Sequence, residues 1–170
     1  MAGEDSKEPG HPTGLGKHDT HAEILSTGEK NPSRNAGKPY STITWADILR
    51  RAESPTAVPK DSAPWTMAST YSGCDARFAD PQRERGSYAL LPGDIDKGNA
   101  SQAELEAALH RVLGPCEWLI YSSASATPED RRWRYWVPLA EPLPPAEYQA
   151  AQEALLDLLR AEGITPDAKA

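Results

Sequence analysis

Cysteine is scarce. Cys74 and Cys116 are the only two in 170 residues, far apart and in no C-x-x-C spacing. That argues against a disulfide framework or a zinc site, and the two read as reduced thiols of a cytosolic protein. Long apolar runs are also missing. No stretch approaches the roughly 20 residues of a membrane span. The opening MAGEDSKEPGHPTG has no apolar core of a secretory signal. A soluble, cytoplasmic protein is the expectation. There is no excess of basic charge: 18 Lys and Arg face 25 Asp and Glu, for a net charge of −7. Wholesale polyanion binding rests on Lys and Arg displacing counterions, so it is disfavoured. A local basic site on an acidic protein is still allowed. The phosphate loop G-x-x-x-x-G-K-[ST], the dinucleotide fingerprint G-x-G-x-x-G and the nucleophile elbow G-x-S-x-G are all absent. Nothing suggests nucleophilic catalysis.

Apolar residues make up only 38% of the chain and mean hydropathy is −0.64, which implies a disordered portion. Residues 1–40 carry that composition, broken only by the apolar AEILS at Ala22–Ser26. They read as a disordered tail whose removal changes stability little. His18 and His21 have a spacing zinc uses on a formed helix, but without a third ligand they read as a solvated pair.

Residues 41–86 read as a helix, a Pro-rich loop and a possible strand. Thr44 and Asp47 resemble a capping box, and Trp45, Ile48 and Leu49 share a face, which predicts a helix over 44–53. WTMASTYS at Trp65–Ser72 is strand-prone, and GCDARFADPQRERG reads as an irregular loop.

Residues 87–170 carry the core. YALLPGDID is a strand whose Pro92 implies an edge or a bulge. Ser101 and Glu104 form a capping box, Leu105, Ala108, Leu109 and Val112 repeat at helical spacing, and Gly114 stops the helix. EWLIYSS at Glu117–Ser123 and WRYWVPL at Trp133–Leu139 are strands. A final helix buries Tyr148, Ala151, Leu155, Leu158 and Leu159. The order β-α-β-β-α predicts an α+β fold of RRM-like or ferredoxin-like type, one strand short of the full unit. WTMASTYS or a second copy of the chain is expected to supply the missing strand.

Asp94 and Asp96 flank Ile95, so on a strand both carboxylates share one face while Ile95 enters the core. Two like charges so close call for a cation or for water. Mg²⁺ takes one or two carboxylates plus substrate phosphates. The competing reading is ordinary turn and cap chemistry at a strand-to-helix junction. Arg131, Arg132 and Arg134 suit phosphate oxygens, or guard a hairpin edge. Trp133 and Trp136 offer stacking surfaces, with core packing as the alternative for Trp133 and Tyr135. Ser123, Ser125 and Thr127 offer hydroxyls, or are simply a polar loop.

Three blocks in this order, GDIDKGN, WLIYSSASATPEDRRWRYWVPLAEPLPPAEY and ALLDLLRAEGITPD, resemble the catalytic core of archaeo-eukaryotic-type primase–polymerases, as found in phage and plasmid replication proteins. The resemblance covers roughly residues 87–167. It implies a nucleotidyltransferase that makes primers on single-stranded DNA from nucleotide triphosphates, with a replicative helicase as a further partner. It implies Mg²⁺ or Mn²⁺ on Asp94 and Asp96 as catalytic metal ligands. It implies nucleotide and phosphate contacts from Ser123, Ser125, Arg132 and Arg134. The histidines usual in the second motif are absent from this stretch, and the chain is expected to stop before the family's last acidic motif. A non-catalytic nucleic-acid-binding module and an inactive, truncated fragment are the alternatives.

Overall fold

A computed structural model describes residues 25–28, 37–56, 58–59, 62–123 and 125–167. Its strands are β1 (Leu25–Gly28), β2 (Ser41–Ile43), β3 (Trp65–Thr66), β4 (Tyr88–Ile95), β5 (Leu119–Ser122) and β6 (Trp133–Leu143). Its helices are α1 (Trp45–Glu53), α2 (Ala79–Arg85), α3 (Gln102–Leu113) and α4 (Pro145–Ala161). His18 and His21 lie outside the described residues. None of the helices described is long and apolar enough to cross a membrane.

The fold is α+β, with two three-stranded antiparallel sheets ordered β2-β1-β3 and β4-β6-β5. In the second sheet β6 is central because the β4-α3-β5 crossover leaves a strand's width between β4 and β5, and the chain then turns back to fill it. α3 and α4 cover one face. Leu91, Ile95, Tyr135 and Val137 of the sheet pack there against Leu105, Ala108, Leu109, Leu155 and Leu159. On the opposite face Leu90, with Leu119 and Trp136 beside it, packs against Leu25, Ile43, Trp45 and Ile48 of the N-terminal layer.

Local signals place three helices. Thr44 and Asp47 close a capping box on α1, and Ser101 and Glu104 close one on α3. Pro145 sits in the first turn of α4, and Gly163 takes a left-handed φ of 82° just past its end. The buried stripe of α4 is Gln152, Leu155, Leu156 and Leu159. Leu158 is 51% exposed, contrary to expectation, because the helix turns its Leu156 side to the core.

Three readings are corrected by contacts distant in sequence. Leu25–Gly28 belongs to the stretch expected to be a tail, yet it is the central strand of its sheet, with Leu25 and Ser26 fully buried. Its burial depends on residues 41–43 and 65–69, which a local composition average does not register. α2 forms where a loop was expected. Its Arg85 is paired with Asp75 at 2.7 Å, Tyr71 Oη donates to Asp75 at 2.5 Å, and Gln82 Nε2 donates to the Ala76 carbonyl at 2.6 Å. Of WTMASTYS only Trp65–Thr66 is a regular strand.

The rest of that segment links the two sheets. Met67 N–H donates to Ser26 O, and Ser26 N–H donates to Ser69 O. On its other side Ala89 N–H donates to Ala68 O, and Thr70 N–H to Ser87 O. The place beside β4 that the β-α-β-β-α order leaves open is thus partly filled by residues 68–70, from the segment expected to pair there. At the far end of β4 the chain returns after α4, and Asp167 N–H donates to Asp94 O at 2.8 Å. Pro92 therefore stands on the outer strand of its sheet, and the register irregularity falls between Tyr88 and Leu90.

Candidate functional site

The face of the second sheet turned away from α3 and α4 is only partly covered by the N-terminal layer. Toward the C-terminal end of β4 it opens into a cleft of about 210 Å³, lined by Thr66, Pro92, Gly93, Asp94, Tyr121, Arg134 and Trp136. Strand alternation and register build its polar floor. Asp94 of β4 stands opposite Arg134 of β6, and Arg134 stands opposite Tyr121 of β5, so one row crosses all three strands.

Arg134 Nε meets Asp94 Oδ1 at 2.7 Å, with the side chains 50% and 33% exposed. Burial works against the guanidinium charge, yet Asp94 and Tyr121 together hold its pKa above the usual arginine range. Tyr121 is pushed upward mainly by burial, with Asp94 adding to it and Arg134 opposing. Trp136 meets Tyr121 edge-on, with ring centroids 6.3 Å apart.

The two aspartates have different surroundings. Asp94 pairs with Arg134, while Asp96 lies exposed just past the strand, a minor contributor to the field that favours the Arg132 charge. Ile95 between them is fully buried. Arg132 is held chiefly by Asp130, through Nε at 3.0 Å and a terminal nitrogen at 2.7 Å.

Ser123 lies beside Arg132, its N–H donating to the Arg132 carbonyl at 2.9 Å, and its hydroxyl is 3.2 Å from that of Ser125. Thr127 accepts from Asp130 N–H, so the Ser/Thr loop is tied to itself and to the arginine strand. Trp133 packs against the helical core and donates to the Ala100 carbonyl at 2.8 Å, and Tyr135 is fully buried, so both are core residues.

All six nominated residues thus lie at one end of one sheet. Asp94 and Arg134 are in contact; exposed Asp96 and Ser125 and half-buried Arg132 and Ser123 form the rim beyond them. Three residues were not singled out from sequence. Tyr121 was legible in principle, since it shares the face of Ser123 two residues on. Thr66 reaches the cleft through the N-terminal sheet, and Asp167 reaches β4 through the turn after α4; neither carried a local signal.

For a divalent cation the donor type is right, two hard carboxylates on one strand face. Among the described residues no three His, Cys, Asp or Glu side chains converge. Asp94 is already neutralised by Arg134. This donor set fits a cation that arrives with its own phosphates, which then occupy the arginines, rather than a cation bound alone. Comparison with protein-family models, with curated proteins and with solved structures finds no match to this chain.

Proposed function

We propose that the chain is a primase–polymerase-like nucleotidyltransferase domain of a phage or plasmid replication protein, taking a nucleotide triphosphate with Mg²⁺ or Mn²⁺ beside a single-stranded DNA template, with a replicative helicase as partner. The observation that carries this reading is the Asp94–Arg134–Tyr121 row on the floor of an open cleft. In the resting protein Arg134 and Asp94 satisfy each other. A triphosphate offers Arg134 a bidentate acceptor of higher charge, and Arg134 turns from carboxylate to phosphate. Asp94, released, then joins Asp96 as the pair that would hold the cation. The cation would supply neutralisation of the phosphate charge. Arg132 and the Ser123 and Ser125 hydroxyls stand at the rim, where the outer phosphates would lie.

The test is equilibrium binding of a fluorescent nucleotide triphosphate with and without Mn²⁺. Binding should need both components. Asp94→Asn and Arg134→Met should each weaken it about tenfold or more, the loss of one charge-assisted contact. Binding indifferent to the metal and to both substitutions overturns the reading.

Trp136 edge-on to Tyr121 beside an arginine favours a second reading, a non-catalytic module on which single-stranded nucleic acid stacks. That module binds single-stranded DNA equally well in EDTA, and Trp136→Ala abolishes the binding while templated primer synthesis is never seen.

A further inference from the structure

The two edges of the second sheet are treated differently. The edge of β4 is covered by residues 68–70 and by Asp167. The edge of β5 pairs with no other strand among the described residues. Ser123 N–H donates inward to Arg132, so by antiparallel alternation Ile120 and Ser122 direct their N–H and C=O groups outward. The strand reads LIYS, with no proline, no charge and no bulge, so that its length of four residues is all that discourages edge pairing.

α3 lies on the same flank. Its outer face forms a shallow depression of about 510 Å³ lined by Ala103, Glu106, Ala107, His110, Arg111 and Trp118. We propose that this flank is a homodimer interface, in which β5 pairs antiparallel with β5 of a second copy and the two α3 helices pack across the same two-fold axis.

The charge pattern selects a second copy over another partner. In an antiparallel pair of α3 helices centred midway between Ala107 and His110, Glu106 meets the partner's Arg111, and Ala107 meets the partner's His110. The surface is therefore complementary to itself, as an isologous interface requires. The small Ala103 and Ala107 allow the close approach of two helices. Glu162 of the same chain engages Arg111 at 2.5 Å through Nε. A two-fold perpendicular to the sheet keeps both α3 helices on one side. On the other side it sets the two Tyr121–Arg134–Asp94 rows on one continuous face.

Sedimentation equilibrium of the full chain from about 1 μM to about 1 mM tests this, across the affinities a modest interface gives. The expected species has twice the 18.5 kDa mass of one chain. Ser122→Pro removes an outward N–H and should weaken dimerisation about tenfold or more, as should Glu106→Arg or Arg111→Glu alone. The double reversal Glu106→Arg/Arg111→Glu, made together with Glu162→Gln to remove the like charge beside position 111, should restore it, since each new charge then meets its opposite across the axis. Both charge sites lie on the outer face of α3, and circular dichroism melts establish that the compared variants are folded. A folded monomer throughout the range overturns the proposal, as does a dimer indifferent to these changes.

Discussion

Arg134 and Asp94 are direct cross-strand neighbours, and their side chains meet at 2.7 Å. A half-exposed pair of this kind contributes about 0.2–1 kcal/mol, so fold stability is not what it chiefly provides. Its chemical consequence is that Asp94 is occupied until something displaces Arg134. Replacing the arginine should therefore expose a latent cation site. Arg134→Met should raise the affinity for free Mn²⁺, and adding Asp94→Asn should remove the gain. Paramagnetic broadening of amide signals near residue 94 reads this directly. Unchanged broadening in Arg134→Met would mean that the carboxylates are turn chemistry only.

Leu25 is fully buried in the central strand of the N-terminal layer. Leu25→Ala should cost about 2–5 kcal/mol in urea unfolding, the range for a core leucine truncated to alanine. Deleting residues 1–40 should then destabilise the chain, reversing what composition alone suggested. A deletion that melts like the full chain would place β1 outside the cooperative unit.

Gly93 stands opposite Tyr135, and the tyrosine ring occupies the space a Cβ at position 93 would need. Gly93→Ala should cost about 1–3 kcal/mol through overpacking. The hydroxyl of Tyr135 is buried with no hydrogen-bond partner among the described residues. Tyr135→Phe should therefore be neutral or stabilise by about 1 kcal/mol, since it removes an uncompensated polar group. Opposite signs for the two substitutions in chemical denaturation are the expected result; a clear loss in Tyr135→Phe would reveal a partner for the hydroxyl.

Tyr148 stacks on Tyr88 with centroids 4.0 Å apart, and burial pushes its pKa up to about 12. Tyr135 is raised as well, mainly by burial. A tyrosine raised in the folded state stabilises it fully below the unfolded pKa of about 10, and that contribution is lost as pH climbs through the folded value. Stability should be flat in these groups up to about pH 10 and fall between there and about pH 12. Tyr148→Phe should flatten the fall. Denaturant midpoints measured across that range, with tyrosinate absorbance alongside, check both statements.

The helix starts at Thr44 and Ser101 were legible because a capping box is a four-residue device, complete in the sequence that forms it. α2 was not, because its anchors Tyr71, Asp75 and Ala76 lie outside the helix in an irregular loop. β1 was hidden for the same reason on a larger scale: four residues whose partners lie some way along the chain leave no mark on local composition.

For the site, alternation alone put Asp94 and Asp96 on one face with Ile95 in the core, since the side-chain period of a strand is fixed at two. Alternation also set Arg134 and Trp136 on one face of their strand, with Trp133, Tyr135 and Val137 on the other. Which residue meets which was decided by register, and register depends on how the whole β4–β6 ladder packs its apolar side against α3 and α4. That packing sets Arg134 against Asp94, carries Tyr121 alongside from β5, brings Thr66 in from another sheet and returns Asp167 to the edge of β4. The sequence by itself determined the types of charge on this face; the tertiary structure decided that they neutralise one another, because only the assembled sheet brings strands from distant parts of the chain within reach of a hydrogen bond.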